Sequence, residues 1–174
     1  MSSGAHPAQD RRSPPRTLSV RPTEAHVDAG ALGHNLRQVR DHVGGSCRVL
    51  AVVKADGYGH GAVDAARALV DAGAWGLAVS LVEEGVELRE AGVHAPVVVL
   101  GGVYPGSEDV VVHRQLTPVV WTLEHLARLS AAVARAGARA LPVPLKVDTG
   151  MSRLGALPHQ LPPLLSWLRS DAGA

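Results

Sequence analysis

Two stretches of this chain carry side chains able to do chemistry. The first is AVVKADGYGHG, Ala51 to Gly61. Val49 to Val53 run apolar without a break, Lys54 follows at once, and glycines then alternate with Asp56, Tyr58 and His60. A lysine at the C-terminal tip of a buried strand is partly desolvated. Desolvation disfavours the ammonium and leaves an amine able to form a Schiff base with an aldehyde. A lysine snorkelling at a rim, its head in water, fits the same position. Gly57, Gly59 and Gly61 let the backbone turn sharply and approach a ligand closely, although an ordinary turn uses the same residues. Gly61 leads into a helix whose free N–H groups suit an anion such as phosphate, and Tyr58 adds a hydroxyl donor. The glycines match neither G-x-x-x-x-G-K-[ST] nor G-x-G-x-x-G. His60 reads as a solvated or capping residue, since no second histidine or cysteine stands nearby at metal-ligand spacing.

The second stretch is LKVDTGMSRLG, Leu145 to Gly155. Again an apolar strand ends in charge. Lys146 and Asp148 alternate along it, so they share one face. A buried lysine beside a buried aspartate is a costly pair unless it orients something. Arg153 is the candidate, because its planar fork donates to a phenolate or a carboxylate. A surface ion pair on a loop is the plainer reading of these residues alone.

The elements that must position these groups follow a rhythm. Asp28 caps a helix with Leu32, Leu36, Val39 and Val43 at helical spacing, and Gly44-Gly45 stops it. Strands are expected at Val49–Val53, Trp75–Val79, Val97–Leu100, Leu116–Val120 and Val143–Val147. Helices are expected at Ala62–Ala72, from Ser80 to Ala91, near Ser107–Arg114, from Thr122 to Ala136 with Leu123, Leu126 and Leu129 facing in, and at Leu157–Leu168. Ser80 and Glu83 have capping-box spacing. Near-continuous apolar strands alternating with helices mean an α/β fold with a parallel sheet covered by helices. An open doubly wound sheet and a (β/α)8 barrel both satisfy that pattern, and both gather function where strands end.

Composition bounds the rest. The chain has 174 residues and a formal net charge of +1. No basic stripe calls for nucleic acid or an anionic membrane. The single cysteine, Cys47, excludes an intrachain disulfide and fits a reducing, cytoplasmic setting. No apolar run approaches the ~20 residues of a spanning helix. Met1 to Val20, rich in Ser, Pro and Arg, reads as a disordered tail, which leaves residues 21–174 as one folded unit.

Taken together, the two stretches resemble the alanine racemase family. VVKADGYGHG resembles the motif that carries that family's pyridoxal-phosphate lysine, LKVDTGMSRLG resembles its second marked motif, and EAHVDAGALGHNLRQVR resembles its opening strand and helix. The resemblance implies a partial pyridoxal-phosphate-binding (β/α)8 barrel of about five strand–helix units. It implies interconversion of L- and D-alanine, supplying D-alanine for peptidoglycan, in a homodimer. Residue by residue, it implies that Lys54 holds pyridoxal 5'-phosphate and moves the α-proton on one face, and that Tyr58 donates to the cofactor phosphate. It places Arg153 by the cofactor's phenolic oxygen and the substrate carboxylate. Lys146 matches a lysine often carbamylated in the family, which orients the arginine. The later strands and the C-terminal β-domain, with the opposite base, are expected to lie beyond this chain, leaving it incomplete for catalysis. A non-catalytic pyridoxal-phosphate carrier of the same barrel type and an inactive remnant are the competing readings. The carrier lacks a use for Arg153, and the remnant predicts no Schiff base at Lys54.

Overall fold

The computed structural model describes residues 23–170. The expected tail, Met1 to Val20, lies outside the described residues. Helix α1 (Ala29–Val43) begins where Asp28 Oδ1 accepts from the Ala31 amide at 3.0 Å, and it ends at Gly44 with φ 82°. Of its expected apolar face only Leu36 is fully buried, whereas Val39 and Val43 are exposed.

Four strands follow: β1 (Leu50–Val52), β2 (Gly76–Val79), β3 (Val97–Val99) and β4 (Thr117–Pro118). They form one parallel sheet in the order β1-β2-β3-β4. Each strand adds to the same edge as its predecessor. A doubly wound sheet reverses direction at a switch point; this one does not, so the order is that of a barrel wall. The connecting helices are α3 (Ala62–Asp71), α4 (Val82–Glu90), α5 (Glu108–His113) and α6 (Leu123–Arg135). A 3₁₀ turn, Pro158–Gln160, leads into α7 (Leu161–Leu168).

The sheet has two unlike faces. Val53, Leu77, Val79, Val97, Val99 and Val120 pack with the buried residues of the helices in the main core. On the other face Ala78, Val98 and Val119 make a smaller cluster flanked by Leu50, Leu100 and Trp121. That split follows from strand alternation, and the smaller cluster marks the barrel's inner face.

Two expectations need correction. The fifth strand, Val143–Val147, is reduced to single bridges, Val120 to Leu145 and Val147 to Ala156. Pro142 and Pro144 flank Val143 and have no N–H to donate, so a ladder cannot begin until Leu145. In α6 the buried residues are Leu126, Leu129 and Ala132, while Leu123, in the first turn, is exposed.

Candidate functional site

The residues after β1 adopt a conformation that composition does not announce. Element α2 (Lys54–Gly59) is a turn in which Ala55, Asp56, Gly57 and Tyr58 all have left-handed dihedrals, with φ of 51°, 53°, 61° and 56°. Such a conformation costs a non-glycine residue roughly 1–2 kcal/mol, and three of these four are not glycine. Two side-chain bonds, one local and one long-range, offset the strain. Glu84 Oε1 accepts from the Ala55 amide at 2.6 Å, and Asp56 Oδ1 accepts from the Ala62 amide at 2.7 Å. Hydrogen bonds to charged groups contribute roughly 1.5–3 kcal/mol each, so the two are of the same order as the strain. Gly57, buried, donates to the Val53 carbonyl at 2.9 Å, and a Cβ there would come within 3.3 Å of Ala65 Cβ. His60 donates from Nδ1 to the Gly57 carbonyl at 2.8 Å, which gives it the capping role read from the sequence.

This geometry corrects two further expectations. The first amide of α3 is not free for an anion, because the Asp56 carboxylate occupies it. In the cap of α4, Glu84 and not Glu83 turns back: its Oε2 accepts from Ser80 and Leu81 amides at 2.7 and 3.0 Å. The N-cap is Leu81, one residue later than the Ser80 spacing implies, and its apolar side chain supplies no acceptor.

Lys54 itself is half-buried, directly after the strand. Its Nζ lies 5.9 Å from the centre of the Tyr58 ring, and it has no hydrogen-bond or ion-pair partner among the described residues. Tyr58 is 61% exposed, so its hydroxyl is open to a ligand.

The second stretch lies at the same end of the sheet. Lys146 donates its amide to the Val120 carbonyl at 2.8 Å and accepts from Ala156 at 2.8 Å. Val143 and Leu145 pack toward the helices, so alternation puts Lys146 on the inner face. The expected Lys146–Asp148 pair does not form as a salt bridge; both residues are half-buried. Asp148 Oδ1 accepts instead from the Gly150 and Ser152 amides at 2.9 and 3.0 Å. Those bonds, Gly150 first, hold its carboxyl below the ordinary aspartate range, with the Lys146 charge acting in the same direction. Gly155, at φ 129°, closes the loop: a Cβ there would meet the Asp148 nitrogen at 2.6 Å. Arg153 is exposed, and neither Lys146 nor any other described residue bonds it.

Sequence reasoning missed three features. One is Glu84. Another is a signal in plain view: Lys54 and Lys146 are the only lysines among 17 basic residues, one just after β1 and the other between the bridged residues Leu145 and Val147. The third is a buried cluster beside the end of β4. Glu108 is 6% exposed, its Oε1 lies 3.1 Å from Arg128 Nε, and its Oε2 accepts from the Gly106 amide at 2.8 Å. His125 packs edge-on to Trp121 with ring centres 4.6 Å apart. Burial, then the Arg128 charge, lowers the His125 pKa. The cluster braces α5 and α6 and leaves no room for a ligand. Among the described residues there is no group of His, Cys, Asp or Glu suited to a metal ion, and no helix long and apolar enough to cross a membrane.

Fold and site thus define part of a parallel β/α barrel with a half-buried lysine, unpartnered among the described residues, just after its first strand. Comparison with known proteins narrows this. Residues 27–173 match the family described as alanine racemase, N-terminal domain, and the chain belongs to that family. It is 46% identical over 143 residues to the alanine racemase of Geobacter sulfurreducens, covering 82% of this chain and 37% of that protein. It is 46% identical over 144 residues to the catabolic alanine racemase of Pseudomonas aeruginosa, covering 80% and 38%. Among solved structures, the alanine racemase from E. faecalis superposes with a TM-score of 0.76 at 36% identity, over 85% of this chain and 40% of that one. The alanine racemase from Bacillus anthracis with bound L-Ala-P gives 0.75 at 29% identity, over 82% and 36%. The chain spans somewhat more than a third of the length of the curated relatives it matches.

Proposed function

We propose that this chain forms the cofactor-lysine part of a pyridoxal-phosphate-dependent alanine racemase, which interconverts L- and D-alanine and supplies the D-isomer for peptidoglycan. The observation that carries the reading is Lys54: an amine without a protein partner among the described residues, on a strained turn that follows β1. Strain of this kind persists where the surrounding structure over-determines it, and it clusters at functional sites.

The residues fit the cofactor in kind. Lys54 offers an amine to its aldehyde. Tyr58 offers an exposed hydroxyl to its phosphate, and Arg153 a guanidinium unpaired among the described residues to its phenolic oxygen or to the substrate carboxylate. The cofactor, when bound, supplies the electron sink that acidifies the substrate Cα–H. Lys54 Nζ takes that proton from one face of Cα and returns it. Inversion needs a second group on the opposite face, and Lys54 provides one of the two. Lys146 lies on the inner face at the same end and does not bond Arg153 as it stands; in this reading it orients Arg153 once carbamylated. Assembly of two copies belongs to the same proposal.

The test is exchange of the alanine Cα hydrogen into D2O by the purified chain with pyridoxal 5'-phosphate. Exchange that is lost in Lys54→Ala supports the reading. Exchange unchanged in Lys54→Ala contradicts it.

A further inference from the structure

We infer that Glu84 is the positioning residue for Lys54: its carboxylate fixes the backbone of the lysine-bearing turn against the neighbouring strand tip, and so sets the direction in which the amine is presented. The inference rests on Lys54 being the cofactor lysine.

Glu84 stands in the first turn of α4, where a glutamate ordinarily only caps its own helix. One oxygen does that: Oε2 accepts from the Ser80 and Leu81 amides, at the end of β2. The other oxygen reaches 29 residues back along the chain, to the Ala55 amide at 2.6 Å. A residue that only capped α4 would have no use for that contact. The Ala55 N–H belongs to the peptide unit joining Lys54 to Ala55, so holding it fixes ψ of Lys54. It also holds the first residue of the left-handed run, Ala55 at φ 51°. A single half-buried carboxylate thus ties the tips of two adjacent strands through three backbone donors.

The chemistry calls for a carboxylate of this length. Both oxygens accept and neither donates. Glutamine would turn an amide NH2 toward one set of N–H donors, and aspartate would withdraw both oxygens by a methylene. The opposite end of α4 supplies a control. Arg89 donates to the carbonyls of Val93, Ala95, Arg114 and Gln115, all before β3 and β4. It ties α4 to the strand entries, at the end of the sheet away from Lys54.

The experiment compares the purified chain with Glu84→Gln, Glu84→Asp and Arg89→Lys. The first readout is amide hydrogen exchange by NMR. We expect Ala55 to exchange about tenfold faster or more in Glu84→Gln, the scale of one lost charge-assisted hydrogen bond, and to be unchanged in Arg89→Lys relative to global stability. The second is borohydride trapping with pyridoxal 5'-phosphate, read as the ratio of label on Lys54 to label on Lys146. We expect that ratio to fall about tenfold in Glu84→Gln and to hold in Arg89→Lys, even where both variants lose stability. If Glu84→Gln does not fold, Glu84→Asp carries the same comparison. Label on Lys54 with an unchanged ratio and unchanged Ala55 exchange overturns the role of Glu84. If the wild type takes no label on Lys54, the site reading fails, and Ala55 exchange alone then decides whether Glu84 holds the turn.

Discussion

Lys54 follows β1, and Lys146 lies beyond β4 between the singly bridged residues Leu145 and Val147, yet their loops are held by opposite means. The turn after Lys54 places non-glycine residues in left-handed geometry and is held from outside by Glu84 of α4, with the Asp56 carboxylate reaching to α3. The loop after Lys146 is held from inside. Asp148 binds the amides of its own loop, and Gly150 and Gly155 take its large positive φ angles, 128° and 129°. Only Ser152, at φ 55°, carries non-glycine strain between Asp148 and Gly155. The contrast separates two ways to fix a loop at the end of a parallel sheet. An externally clamped turn stores strain and depends on distant residues. A self-closed loop stores little and depends on its own sequence.

Opposite substitutions break that contrast most directly. Gly155→Ala forces a Cβ within 2.6 Å of the Asp148 nitrogen at φ 129°, and overpacking of this kind costs about 1–3 kcal/mol. It lowers the urea midpoint of the whole chain. Ala55→Gly does the reverse. It removes αL strain of roughly 1–2 kcal/mol but adds unfolded-state freedom, so a gain of about 0.5–1 kcal/mol is expected by the same measurement. A neutral Gly155→Ala, or a destabilising Ala55→Gly, would remove the distinction between the loops.

A smaller effect sharpens it. The Gly150 and Ser152 amides lower the Asp148 pKa. A carboxyl depressed in the folded state contributes stability above its unfolded value of ~3.9, and that contribution is lost as pH falls through the folded value. An NMR titration therefore shows the Asp148 carboxyl midpoint below the ordinary range, with the Gly150 and Ser152 amide shifts following it. Asp148→Asn removes both the midpoint and the coupled amide shifts. An ordinary midpoint would mean that the loop is not closed by its own aspartate.

The same contrast explains what was legible in the sequence. The strands showed because apolar runs such as Val49–Val53 and Val97–Val99 have few other uses. The lysine tips showed because charge follows those runs abruptly. Local chemistry also showed: Asp28 caps α1, and Thr122 Oγ1 caps α6 by accepting from the His125 amide. The left-handed turn did not show, since Ala55 and Tyr58 do not favour that geometry and the residue holding Ala55 lies 29 positions away. Glu83 was expected in place of Glu84 because capping-box spacing counts from a polar N-cap, and here the cap is Leu81. The fifth strand was overestimated because apolar content outweighed Pro142 and Pro144, which deny the ladder its donors.

Lys54, and not Lys146, is the proposed Schiff-base lysine. Incubation of the 174-residue chain with pyridoxal 5'-phosphate, borohydride reduction and peptide mass mapping test it directly, because these two side chains are the only lysines present. Label is expected on the peptide containing Lys54 and is expected to be absent in Lys54→Ala. Label on Lys146 in place of Lys54, or no label on either lysine, would contradict it.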